Sequence, residues 1–134
     1  MLNVVCGILI NDNKIFLPKR SSLLKIMPDK YEFPGGKVEE NESFKEALKR
    51  ELYEELSINI NIDDIIEFKN NSIITETFIL TAFIIKKWKN KLTINHKINS
   101  EILEVDFTNL INIENLLDTN KKLIPHVIEY INNI

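Results

Sequence analysis

Three glutamates lie within the short run R-E-L-Y-E-E at residues 50–55. On a helix that turns about 100° per residue, with Phe44 at zero, Glu51 lies at about 340°, Glu54 at about 280° and Glu55 at about 20°. The three carboxylates therefore share one arc with the apolar residues one or two turns earlier. A helix face that is merely solvated would place its acids on the side opposite its apolar residues. The arrangement predicts a joint role for the three carboxylates.

The cluster is unfavourable unless a cation compensates it. Neighbouring carboxylates about 5 Å apart repel by roughly 3 kcal/mol at an effective dielectric constant near 20. They also crowd the C-terminal half of the helix, where the helix dipole disfavours anions. A divalent cation would offset both effects, and ligands that are all oxygen select Mg²⁺ or Mn²⁺ over Zn²⁺. The alternative is a solvated helix in which Glu46 and Glu54 flank Arg50 as i,i+4 pairs.

The residues upstream of the cluster decide between these two interpretations. Residues 36–58 read G-x5-E-x7-R-E-L-x-E-E-x-S-I. This closely resembles the Nudix box, G-x5-E-x7-R-E-U-x-E-E-x-G-U, in which U is an aliphatic residue. Residues 32–39, E-F-P-G-G-K-V-E, extend the resemblance to the MutT-like branch of that family, although Tyr31 stands where Trp is common. The chain is therefore identified as a member of the Nudix family.

One fixed residue of the box is replaced, because Ser57 stands where the family has Gly. That Gly ends the helix with a positive φ, which costs a residue with a side chain on the order of 1 kcal/mol. The replacement predicts a slightly altered helix exit and leaves the metal ligands intact.

The resemblance implies a role for each matching residue. It implies that the metal is bound by the carboxylates of Glu51, Glu54 and Glu55, by the carbonyl of Gly35, and by Glu101 from a later loop. Catalytic roles follow for Glu51, the first candidate for the base, Glu101, the second, Glu54, and Arg50, which orients a carboxylate. Substrate contacts follow for Lys37 and Arg20 at the phosphates and for Phe33 and Phe78 at the base, with Glu42 supporting the junction of loop and helix. For Glu101, a solvated glutamate at a strand start is the alternative.

The reaction that the resemblance implies is hydrolysis of a pyrophosphate bond by a metal-activated water, with Mg²⁺ as cofactor and Mn²⁺ as a possible substitute. Residues 71–74 carry neither the Pro of ADP-ribose-cleaving relatives nor the Tyr of dinucleoside-polyphosphate relatives. The expected substrate is a nucleoside triphosphate, with 8-oxo-dGTP first and the monophosphate and pyrophosphate as products. A CTP-like or broad substrate range and a non-catalytic nucleotide-sensing domain are the alternatives. A glycosidase is disfavoured, because it would use two acids across a cleft.

The last helix bears on the choice of base. Relatives specific for oxidised guanine read the purine partly with an Asn two residues before a Pro. Measured from Pro125 this position holds Leu123, and Asn120 is three residues away. We therefore expect an apolar pocket wall at Leu123 and modest selectivity.

The elements that would position these residues follow from hydrophobic periodicity and turn residues. A turn at 11–13 separates the first two strands, and a long connection spans 18–30. Strands are predicted at 2–10, 14–17, 65–69, 73–87 and 101–107, with a brief extended piece at 31–33 and helices at 41–56 and 123–131. Strands on both sides of a helix and a closing helix predict an α/β fold, a Nudix-type α/β/α sandwich with a mixed central sheet, in one domain over 1–134.

Composition and charge bear on the binding partners and the cellular location of the protein. The 134 residues carry a net charge of −3, which argues against a broad nucleic-acid-binding surface but leaves room for a local basic pocket. Cys6 is the only cysteine, so no intramolecular disulfide can form and a reducing, cytoplasmic location is expected. The apolar run at 4–10 is too short to span a membrane. The expected partner is a nucleotide, with the chain a monomer or homodimer.

Overall fold

A mixed six-stranded sheet forms the centre of the computed structural model, which describes residues 1–134. Strand β1 lies at its middle, parallel to β5 and antiparallel to β2 and β3, and the order β4-β5-β1-β2-β6 describes the main path. The strands are β1 Leu2–Asn11, β2 Lys14–Arg20, β3 Gly35–Lys37, β4 Ser72–Ile74, β5 Phe78–Ile85 and β6 Asn99–Asp106; the helices are α1 Phe44–Leu56, α2 Asp118–Lys121 and α3 Ile124–Asn132, and short 3₁₀ turns span Ile62–Asp64 and Phe107–Asn112.

The central position of β1 follows from its sequence. Its residues 5–10 are all buried, as expected for a strand covered on both faces. Alternate side chains then enter two separate cores: Val5 and Leu9 pack beneath α1, whereas Ile8 and Ile10 pack on the side of α3. One helix therefore covers each face of the sheet. The predicted α/β/α sandwich with a mixed sheet is confirmed.

Helix α1 is well specified at both ends. Ser43 caps the start, with its hydroxyl accepting from the Glu46 N–H while the Glu46 carboxylate accepts from the Ser43 N–H. Three positions with helical spacing, Ala47, Leu48 and Leu52, are fully buried against the sheet. The helix ends at Ser57, whose φ of 60° and ψ of 22° are left-handed. Ser57 thus takes the positive φ that the family's Gly would use, and its N–H still donates to the Tyr53 carbonyl at 3.0 Å, so the predicted alteration of the helix exit is not seen.

Several predicted elements differ from the structure. The segment 65–69 is not a strand, because only Ile66 pairs, in an isolated bridge with Ile84. The predicted strand 73–87 is two strands, interrupted by a turn in which the Thr75 hydroxyl accepts from the Phe78 N–H at 3.0 Å. The short strand β3 and helix α2 were not predicted. Both depend on contacts across the fold more than on local periodicity.

The C-terminal segment closes the sandwich on the face away from α1. Leu123 is fully buried and belongs to the same core as Leu116 and Val127. The expectation that Leu123 forms a pocket wall is therefore wrong, because its side chain contributes to the core instead. Asn120, one turn earlier, is the buried amide at this end of the sheet.

Candidate active site

Strand β3 brings the two adjacent glycines against the acidic helix. A Cβ atom on Gly36 would lie 2.5 Å from Oε1 and 2.6 Å from Oε2 of Glu51. A Cβ on Gly35 would lie 2.7 Å from the Cα of Cys6 on the neighbouring strand β1. A side chain on Gly35 would clash with the backbone of β1, and one on Gly36 would displace the Glu51 carboxylate, so the Gly pair allows β3 to approach both β1 and α1 closely. This approach sets the Glu51 carboxylate directly against the backbone.

Glu55 is the buried member of the cluster. Its side chain is 4% exposed, Oε2 accepts from the Gly35 N–H at 3.2 Å, and Oε1 is buried with no hydrogen-bond partner. Burial, together with the nearby charge of Glu32, raises the pKa of Glu55 to about 8. A buried carboxylate oxygen with no partner is costly unless something compensates it. A divalent cation bound by oxygen ligands would supply that compensation.

Arg50 connects several acidic residues of the site through hydrogen bonds. Its Nε and Nη2 donate to the two oxygens of Glu42 at 2.9 and 2.8 Å, a bidentate pair. Nη1 donates to Glu51 at 2.9 Å and to Glu54 at 3.3 Å, and Nη2 also donates to the Lys37 carbonyl at 3.0 Å. One guanidinium therefore orients three carboxylates and ties β3 to α1. The same hydrogen bonds, with that from the Glu39 N–H, lower the pKa of Glu42 to about 2.

The three helix carboxylates lie at one end of α1 but do not yet enclose an ion. No three acidic, histidine or cysteine side chains converge closely enough to hold a metal as they stand. Glu51 and Glu54 are instead turned toward Arg50, whereas Glu55 is turned toward the Gly35 backbone. The donor set, carboxylates beside a main-chain carbonyl, nevertheless suits a hard divalent cation. Coordination would require Glu51 and Glu54 to rotate away from Arg50.

Arg20 is engaged in a different contact from the expected one. Its guanidinium pairs with Glu32 at 3.2 Å and donates to the carbonyls of Ile26 and Met27 at 2.9 and 3.1 Å. Arg20 therefore anchors the loop after β2, and it balances Glu32, whose own pKa is raised by burial. Glu32 was not predicted as a site residue, although the motif around it was. The position of Glu32 between Arg20 and Glu55 becomes apparent only from the folded structure.

Glu101 forms no hydrogen bond or ion pair with the acidic helix. The Tyr31 hydroxyl donates to it at 2.7 Å and the Lys19 ammonium lies 3.8 Å away. The Lys19 ammonium also lies 5.6 Å from the centroid of the Tyr31 ring. The hydrogen bond to Glu101 raises the pKa of Tyr31 to about 12. The structure therefore groups Glu101 with the tyrosine that replaces the usual Trp.

The expected base-pocket residues are placed differently from one another. Phe33 is only 4% exposed and belongs to the core, whereas Phe78 is half-buried at the start of β5. The Phe33 N–H donates to Oδ1 of Asn120 at 2.7 Å, which joins the Gly-rich segment to α2. The side chain of Lys37 is exposed on β3. Asn120 was considered but set aside from the sequence, and this contact is what singles it out.

The family follows from these features together with a comparison with known proteins. A model of the NUDIX domain matches residues 1–129. The chain belongs to the NUDIX family. The resemblance read from the box is thereby confirmed, and the chain is a Nudix hydrolase, a class of enzymes that generally depends on a divalent metal. No helix of the structure has the length and apolar character needed to cross a membrane.

Individual relatives are similar over different shares of the chain. An 8-oxo-dGTP diphosphatase of Buchnera aphidicola subsp. Schizaphis graminum is 39% identical over 93 residues, which are 67% of this chain and 67% of that protein. The CTP pyrophosphohydrolase of Escherichia coli is 42% identical over 64 residues, 48% of this chain and 47% of that one. The solution structure of the E. coli ORF135 protein matches with a TM-score of 0.83 and 26% identity, covering 99% of this chain and 92% of that one.

Proposed function

We propose that the chain is a Mg²⁺-dependent nucleoside triphosphate pyrophosphohydrolase that releases a nucleoside monophosphate and pyrophosphate. The observation that carries the proposal is the buried, unpartnered Oε1 of Glu55 beside two carboxylates that Arg50 holds in place. Similar proteins that are named 8-oxo-dGTP diphosphatase and CTP pyrophosphohydrolase support the substrate class. Mn²⁺ would substitute for Mg²⁺, since both are hard cations with oxygen ligands.

The metal would be held by Glu51, Glu54, Glu55 and the Gly35 carbonyl, with Glu101 as a further ligand. When bound, the cation supplies charge neutralisation at the phosphate oxygens and lowers the pKa of the attacking water. The acidic helix provides the charge for this role, and the Gly pair provides the close approach of the backbone. Binding of an ion would also satisfy the buried Oε1 of Glu55.

The remaining roles belong to the protein's own side chains. Arg50, fixed by its bidentate contact with Glu42, would hold the Glu51 carboxylate at the surface of β3 until a metal binds and the carboxylate turns toward it. Glu51 is our first candidate to accept the proton of the attacking water, and Glu101 is the second. Lys37, exposed on β3, would contact the phosphates. Arg20 would do so only after leaving Glu32.

The base would lie near Phe33 and Phe78, with the buried Asn120 as the amide that reads it. Oδ1 of Asn120 already accepts from the Phe33 N–H, but Nδ2 has only a weak contact with Thr119 at 3.3 Å. Nδ2 is therefore available as a donor to a base oxygen. 8-oxo-dGTP is the leading substrate, and a CTP-like or broad range is the second candidate because of the similarity to the CTP enzyme. A sensing role without hydrolysis is disfavoured, because the box carboxylates are all retained.

The setting that we propose is a single-domain cytoplasmic enzyme, a monomer or homodimer, that takes a free nucleotide and not a nucleic acid. The buried, unpaired Cys6 suits a reducing compartment. The net charge of −3 disfavours a broad contact with a phosphate backbone.

The test is a panel of nucleoside triphosphates, including 8-oxo-dGTP, dGTP and CTP, assayed with Mg²⁺ for release of pyrophosphate and of phosphate. Pyrophosphate as the product, abolished by EDTA, would support the proposal. Phosphate release alone, or saturable binding of every nucleotide without turnover, would contradict it.

A further inference from the structure

A large cavity lies apart from the acidic site. It measures about 630 Å³ and opens beyond the end of β5, between α1 and the loop that follows it. None of the carboxylates of the candidate active site lines it. Its lining residues are Lys49, Asn59, Ile60, Asn61, Asp64, Lys87, Trp88 and Lys89.

The lining is basic in a protein that is acidic overall. Lys49, Lys87 and Lys89 contribute three positive charges, and Asp64 is the one acid among the lining residues. None of the three lysines lies within ion-pair distance of any carboxylate. Three uncompensated ammonium groups around one concave surface produce a local positive potential that attracts anions. The chemistry of this lining therefore suits a phosphorylated ligand.

The backbone around the cavity is fixed by hydrogen bonds. Asn59 and Lys89 form an antiparallel bridge, with their N–H groups donating to each other's carbonyls at 3.1 and 2.8 Å. This bridge holds the segment after β5 against the segment after α1, so that Lys87 and Lys89 border the same space as Asn59 and Asn61. Lys86 is oriented differently, since its ammonium lies 5.3 Å from the centroid of the Tyr130 ring and it does not line the cavity.

An aromatic ring borders the same cavity. Trp88 is half-buried and packs edge-to-face against Phe16, with the ring centroids 6.0 Å apart and an interplanar angle of 84°. This packing holds the indole at the cavity wall. Aromatic side chains stack favourably on bases of any sequence, because every base has a π face. The wall therefore combines a stacking surface with donors for a phosphate.

We propose that this cavity is a second ligand site that binds a nucleoside monophosphate, with the phosphate at Lys87 and Lys89 and the base at Trp88. The amides of Asn59 and Asn61 would supply hydrogen bonds to the sugar and base edges. The site is independent of the metal and of the reaction proposed for the acidic helix.

The test uses the intrinsic fluorescence of Trp88, which is the only tryptophan in the chain. The metal-free protein, in EDTA, is titrated with AMP, adenosine and inorganic phosphate, with excitation where adenine does not absorb. A saturable change with AMP is expected, weaker with phosphate and absent with adenosine. Because the lysines are exposed, the apparent affinity should fall as salt is raised.

The decisive comparison is between two double variants that remove the same charge. Lys87→Gln with Lys89→Gln should weaken AMP binding about fivefold or more, because two contacts to the phosphate are lost. Lys86→Gln with Lys122→Gln, two exposed lysines outside the cavity, should leave it unchanged. Equal weakening in both variants, no saturable signal with AMP, or adenosine binding as tightly as AMP would overturn the proposal.

Discussion

Gly36 and Glu51 are in such close contact that no side chain could be placed between them. A methyl group on Gly36 would lie 2.5 Å from Oε1 and 2.6 Å from Oε2 of Glu51, so that the carboxylate would have to move. The position of the proposed catalytic carboxylate is thus set by the absence of a side chain on β3. Substitution at Gly36 should therefore affect chemistry more than folding.

The first prediction concerns this contact. Gly36→Ala should lower kcat by about 10²-fold, since a displacement of about 1 Å at a reacting group can cost that much. Steady-state kinetics with Mg²⁺ would measure it, and circular dichroism would check the fold. Gly7→Ala is the matched control, because its added methyl would meet only flexible core side chains, the nearest at 3.2 Å. Equal losses of activity in the two variants would contradict the prediction.

The second prediction concerns Glu54, which is exposed and contacts Arg50 at 3.3 Å. Glu54→Gln should lower kcat by roughly 10²-fold or more at saturating Mg²⁺, because a metal ligand loses its charge. The melting temperature should change little, since an exposed ion pair contributes only about 0–1 kcal/mol. Glu40→Gln, an exposed glutamate outside the cluster, is the control. Near-normal turnover of Glu54→Gln would rule out a role in metal binding.

The third prediction links the metal to stability. Millimolar Mg²⁺ should raise the melting temperature of the wild type, because an ion that binds only the native state stabilises it. A variant with Glu51, Glu54 and Glu55 all replaced by Gln should gain little. Differential scanning calorimetry with and without EDTA would measure both shifts. An equal shift in the two proteins would locate the ion elsewhere.

The fourth prediction follows from the pKa of Glu55, which is raised to about 8 from an ordinary value of 4.5. Between these values the folded state binds a proton that the unfolded state has released, so stability must fall as pH rises through this window. Melting in EDTA should therefore show a decrease from about pH 5.5 to 8. Glu55→Gln should reduce the slope, and a residual slope of the same sign is expected from Glu32, whose pKa is also raised. Glu42 acts only at lower pH, because its pKa is lowered to about 2 and its contribution is lost as pH falls below 4.5. An unchanged slope in Glu55→Gln would contradict the assignment.

The fifth prediction concerns base selection. Asn120→Ala should lower kcat/KM for 8-oxo-dGTP about tenfold more than for dGTP, because the hydrogen bond that we propose from Nδ2 is to the 8-oxo oxygen, which dGTP lacks. The ratio of the two values is the measurement, since general damage from losing the Phe33 contact would lower both alike. Leu123→Asn should instead destabilise the protein, because it buries an amide in the core. A ratio unaffected by Asn120→Ala would remove Asn120 from the pocket.

The sequence predicted best where the determinants are local. Helix α1, predicted at 41–56 and found at Phe44–Leu56, and its acidic arc depend on residues within a few positions of one another. The contacts that the sequence did not reveal join distant residues: Tyr31 with Glu101, and Phe33 with Asn120. Counting back from Pro125 pointed to Leu123, whereas the buried amide is Asn120, three residues earlier. Asn120 lies in the separate helix α2, which precedes α3.

The hydrogen bonds of Arg50 have a consequence for how the site acquires an ion. Its guanidinium acts as a resident counter-ion for Glu51 and Glu54. Metal loading is then an exchange of one positive partner for another, not the filling of a bare anionic site. The free energy of metal binding is therefore less favourable than it would be at uncompensated carboxylates. This favours a reversibly and loosely bound ion. Before loading, the same counter-ion also limits the repulsion that an approaching polyphosphate would meet.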